Sequence, residues 1–120
     1  LAAGPAARPG KGAGSTLLDE TVVTVVAQMS RTPKLNAELG KDHWPVTSAL
    51  VFGGGIRGGR TLGASTDSLE AAPIDLATGS ARADGSVLQS ANVVAGVLRA
   101  LGVDAEKYLP QTEPFHALTS

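Results

Sequence analysis

Two kinds of hydrophobic pattern run along this chain. Near the start, Thr21-Val22-Val23-Thr24-Val25-Val26-Ala27 is β-branched at every position but the last. Successive side chains of a strand point to opposite faces. A run without polar alternation therefore predicts a strand covered on both sides, as in a parallel sheet. Residues 47–52 repeat the pattern more briefly and run into a cluster of glycines, which predicts a second buried strand and a sharp turn. The period then changes. Val93, Val94, Val97, Leu98 and Leu101 make one apolar stripe, predicting a helix over residues 86–101. Ser86 and Gln89 have the spacing of a capping box at its start. Gly102 stands where a left-handed cap closes such a helix. Residues 104–108 can add one more turn before Pro110.

The remaining segments are read from their breakers. Leu17-Leu18-Asp19-Glu20 predicts a turn or helix end before the first strand. Residues 28–42 are polar, with Pro33 and Gly40 interrupting them. Residues 60–66 suggest a short edge strand weakened by Gly63. Residues 67–85 read as a long loop with one short strand near Ile74. This divides the chain into a Gly/Ala/Pro-rich linker (1–15), an α/β segment (16–110) and an irregular tail (111–120). The helix is expected to pack on the two main strands. Those strands are expected to be neighbours, parallel, and in need of cover from another chain.

Composition sharpens this only slightly. Aromatics make up 3% of the 120 residues, so the core must come from small and branched aliphatics. The formal charge of −1 gives no overall field to recruit nucleic acid. The absence of cysteine excludes disulfides and thiolate metal sites. No apolar run approaches the roughly 20 residues of a membrane-spanning helix. The opening Leu1 reads as the start of a piece of something longer.

Candidate chemistry gathers around Lys41-Asp42-His43-Trp44-Pro45. Asp42 and His43 offer a metal ligand with a supporting carboxylate, or a general acid and base. The plainer reading of a lone His beside Trp is a packed, hydrogen-bonded residue. Arg31, Lys34, Lys41 and Arg57 could surround an anion, or simply form a solvated face. Gly53, Gly55 and Gly58 match G-x-G-x-x-G, but the residues after Gly59 make a poor helix. A turn with positive φ at Gly55 or Gly58 is the better reading. No P-loop, nucleophile elbow or Ser/His/Asp order is present.

The stretch from Thr21 to Asn36, with Arg31-Thr32-Pro33 in it, is followed by Gly40-Lys41-Asp42-His43-Trp44-Pro45, Gly53-Gly54-Gly55-Ile56-Arg57-Gly58-Gly59 and residues 62–67. In order and spacing this resembles the C-terminal part of the DUF1501 family, bacterial proteins regarded as sulfatase-like and distantly similar to alkaline phosphatase. The resemblance covers residues 16 to about 110. It implies a fragment of an alkaline-phosphatase-like α/β sandwich with a mainly parallel sheet. It implies a divalent metal as cofactor, with His43 as the ligand this segment supplies and Arg31 near the site; Asp42, singled out above beside His43, is the other catalytic candidate. The nucleophile and about half the ligands of that scheme belong to an N-terminal part. Relatives carry an acidic residue where this chain has Gln28, and an amide is the poorer ligand for a divalent ion. The expectation is a segment that is not catalytic by itself, or a metal-dependent ester hydrolase half-site completed by an N-terminal segment or a partner chain. An exported, envelope or periplasmic location is implied by the resemblance alone.

Overall fold

The computed structural model describes residues 15–120, so the linker read over residues 1–15 lies, Ser15 apart, outside the described residues. The first element is a 3-10 turn, Leu17–Glu20, capped by Thr16. The Thr16 N–H donates to the Asp19 carboxylate at 2.6 Å, and the Asp19 N–H donates back to the Thr16 hydroxyl at 3.4 Å. The reciprocal pair satisfies two otherwise orphaned donors. The chain then enters β1, Val22–Val26.

Strand β1 pairs with β4, Ala49–Gly53, and the register runs from Val22 opposite Gly53 to Val26 opposite Ala49. The two predicted strands are neighbours, but they are antiparallel. Two shorter antiparallel pairs accompany them. Strand β2, Ser30–Arg31, pairs with β3, His43–Trp44. Strand β5, Pro73–Ile74, pairs with β6, Ser86–Val87. The expected alkaline-phosphatase-like sandwich with a mainly parallel sheet is therefore overturned: among the described residues every strand pair is antiparallel and every sheet has two strands. The reason lies in the connection. Parallel neighbours need a crossover, usually a helix of a dozen or more residues. Residues 27–48 contain no helix, only the β2–β3 pair, and return the chain directly beside β1.

The core forms elsewhere. Ile74, Leu76, Phe115, Ala117 and Leu118 cluster together, with Ile56, Leu62, Leu88, Val93 and Val97 packed around them. Residues 111–120, irregular by sequence pattern, supply three of the seven hydrophobics buried among the described residues and a 3-10 turn, His116–Leu118. The segment is tied to the helix by Phe115 N–H donating to the Asn92 carbonyl at 2.9 Å and by Asn92 Nδ2 donating to the Glu113 carbonyl at 2.7 Å.

The helix α1 spans Ser90–Ala100 and starts four residues later than its pattern suggested. Ser86 and Val87 are drawn off into β6, opposite the almost wholly buried Ile74. Gln89 becomes the cap, its N–H donating to Asn92 Oδ1 at 2.8 Å. The deeply buried face is made of small residues, Ala95 and Gly96, while Val94 and Leu101 are half exposed. A Cβ on Gly96 would lie 2.8 Å from the Phe115 carbonyl oxygen, so the C-terminal segment crosses the helix in near contact. At the other end Gly102 adopts φ +76°, and Val103 and Gly102 N–H donate to the Leu98 and Arg99 carbonyls. These two bonds are a Schellman closure. A last short helix, α2, spans Ala105–Tyr108 behind the Asp104 cap.

Candidate functional site

Residues 30–44 form a polar finger. Arg31 and His43 are direct cross-strand partners, and Asp42 adjoins them. The three residues singled out by sequence are thus brought together, and all three are exposed. The tip is organised by Asn36, whose Oδ1 accepts from Glu38 and Gly40 N–H at 3.0 and 2.9 Å. Its Nδ2 donates to Asp42 Oδ1 at 3.0 Å. Arg31 Nη1 donates to the Lys41 carbonyl at 3.5 Å, a long contact. Trp44 faces away from this cluster, its indole N–H donating to the Leu69 carbonyl at 2.8 Å. The donor set does not fit the divalent metal that the family resemblance implies. Among the described residues no group of three or more His, Asp or Glu gathers to hold an ion. One imidazole and one carboxylate already engaged by an amide fall short of the three or four ligands such an ion normally takes.

The glycine loop has a structural task. Gly53, Gly55 and Gly59 have positive φ, and Gly58 does not. Arg57 N–H donates to the Leu118 carbonyl at 2.8 Å and its Nη1 to the Ser120 carbonyl at 3.1 Å. Arg60 Nη2 donates to the Ala117 carbonyl at 2.5 Å. The loop therefore straps the C-terminal turn, whose last carbonyls have no helical partner. Arg57 and Arg31 line one trough, described next, whereas Lys34 and Lys41 are not among its lining residues.

A third feature escaped the sequence reading. An open trough of about 800 Å³ lies between β4, the glycine loop and the core, with Phe52, Ile56, Leu62, Val93 and Phe115 among its walls. Arg31, Arg57 and Arg60 line it, and among the described residues no Asp or Glu does. The signal available was the apolar group Phe115, Ala117 and Leu118 behind Pro114. Its floor function depends on docking across α1, which no local period encodes.

Elsewhere the ionisable groups are structural. The Asp75 carboxyl is held below its ordinary value, chiefly by the Ala77 N–H it accepts at 2.8 Å and also by the Arg82 guanidinium at 3.3 Å. The Arg82 guanidinium is raised in turn, first by its 2.7 Å bond to Asp84 and then by Asp75. This exposed network shapes the turn between β5 and β6.

With the geometry in place, comparison with known proteins agrees with the order of motifs. A family model described as "Protein of unknown function (DUF1501)" matches residues 14–116. The chain belongs to the DUF1501 family. No curated protein and no solved structure matches it.

Proposed function

We propose that this chain is a segment of a DUF1501 protein that is not catalytic by itself and whose apolar surface is covered by another polypeptide, either a partner chain or the protein's own N-terminal segment. One observation carries the reading. Among the described residues seven hydrophobics are buried, whereas eleven large hydrophobics are exposed. Val25, Val26 and Leu50 of the β1–β4 ribbon are 55%, 67% and 58% exposed. A two-stranded ribbon is marginal in water without a third strand or a packed helix. Patches of this kind mark interaction surfaces. An exported, envelope location accompanies this reading on the strength of the family resemblance. No helix of the described residues is long and apolar enough to cross a membrane.

The cross-strand neighbours Arg31 and His43, with Asp42 beside them, favour a second reading: half of a sulfatase- or phosphatase-like ester hydrolase site, completed from elsewhere. The test of the first reading is sedimentation of the purified chain at micromolar concentration, combined with thermal unfolding. Self-association, or a broad and weakly cooperative transition, is expected. A compact monomer that unfolds in one sharp step would overturn it, because such a molecule needs no cover.

A further inference from the structure

The walls of the trough identify which edge of the ribbon it follows. Lining residues run without a gap from Val46 to Phe52, and none comes from β1. Strand β1 already occupies one edge of β4. The trough therefore runs along the other edge. In a strand, successive N–H and C=O pairs point alternately to the two edges. Among the described residues, the backbone of residues 49–52 bonds to β1 and to no other segment. An open row of donors and acceptors thus faces an apolar channel, the arrangement that adds a strand from another segment.

Charge says what kind of strand. Arg31 belongs to the finger preceding β4, while Arg57 and Arg60 belong to the loop following it. Among the described residues none of the three forms an ion pair with a carboxylate. Arg57 donates to a backbone oxygen of Ser120 and Arg60 to the Ala117 carbonyl, and among the described residues neither pairs with an Asp or Glu side chain. A second copy of this chain is a poor occupant. Pairing β4 with β4 about a two-fold axis would bring the same arginine-bearing surface to itself, and like charges in apposition are unfavourable.

We propose that the trough is a strand-docking site. It takes an extended apolar segment of another polypeptide, bearing carboxylates toward its ends, as a third strand on the free edge of β4. The proposal rests on the reading of a surface covered by another polypeptide and names the chemistry of its cover.

The test uses the 120-residue chain and three synthetic peptides. One is a seven-residue segment of alternating valine and threonine with glutamate at each end. The second carries lysine in place of glutamate. The third is the glutamate peptide with every backbone amide N-methylated. Trp44 lines the trough and is the chain's single tryptophan, so its fluorescence reports occupancy directly. The glutamate peptide should shift that fluorescence saturably and raise Tm. The lysine peptide should bind at least about tenfold more weakly, with the gap narrowing in 1 M salt. The methylated peptide should not bind, since it cannot pair with the edge.

Equal binding of the glutamate and lysine peptides, binding that survives methylation, or no binding by any peptide would overturn the proposal. So would a dimer whose interface the glutamate peptide fails to displace, which would make a second copy the occupant. These outcomes leave the broader reading of a covered surface standing. That reading falls only to the sharp, compact monomer.

Discussion

At Gly53 the backbone turns out of β4 with φ +108°, and an added Cβ would run into the Thr21 carbonyl oxygen. That carbonyl also accepts from the Gly54 N–H at 3.0 Å, so it cannot move away without giving up a bond. Gly58, five residues on, has open space where a Cβ would go. The two positions look alike in sequence and differ in physics. Gly53→Ala combines a left-handed φ with a backbone clash and should cost roughly 3 kcal/mol or more. Gly58→Ala should stay within about 0.5 kcal/mol of wild type, like most surface substitutions. Chemical denaturation of the two variants decides this, and equal midpoints would count against the turn. The sequence pointed to Gly55 or Gly58 for the positive φ. Gly55 has it at +81° and Gly58 does not. A run of glycines marks a turn but not which residue bears it.

At the scale of elements, the main strands, their adjacency and the body of the helix were legible, and the direction of the pairing was not. Strand β1 falls within its predicted stretch and β4 overruns its own by one residue, at Gly53; the short strand at Ile74, the Schellman glycine and the Asp104 turn lie where they were expected. Period and capping chemistry are local and survive in any context. The helix start was misplaced because Ser86 and Val87 are more useful opposite β5 than inside the helix. The stripe is also rotated. Val93 and Val97 pack against the core, whereas Val94 is half exposed. Val97→Asp would set a carboxylate against that core and should lower stability by about 3 kcal/mol. Melting followed by helical circular dichroism tests it, and an unchanged Tm would mean that the helix does not dock against this core.

Over the whole molecule the question is whether one chain carries a complete reacting site. Metal-assisted ester hydrolysis needs a nucleophile, a ligand set and donors for the developing charge in one place. The described residues bring together Arg31, Asp42 and His43 on a solvent-exposed finger. The purified chain is therefore expected to hold no stoichiometric metal and to turn over neither phosphate nor sulfate esters. Elemental analysis and turnover assays on wild type, His43→Ala and Gln28→Glu separate the readings. Tightly bound zinc, or turnover lost in His43→Ala, would favour the half-site. Metal that appears only in Gln28→Glu would show that the missing carboxylate was the obstacle.

The sequence by itself placed the two main strands, the glycine turn and the body of the helix, because β-branching, period and glycine act within a few residues of themselves; it did not place β2, β3 or β6, and the edge strand expected over residues 60–66 is not formed. It also determined the family, through motif order. It did not determine the direction of β4. That depended on a helix-free excursion folding back as a finger, with Asn36 tying Glu38, Gly40 and Asp42 together. Nor did it show that residues 115–118 close the core, since Phe115 and Leu118 are buried only by crossing α1 at Gly96. The trough, with three arginines and, among the described residues, no acid, exists only because the finger, the glycine loop and the C-terminal turn meet in space. Local chemistry is written in adjacent residues, whereas a shared surface is set by contacts between residues far apart in the chain.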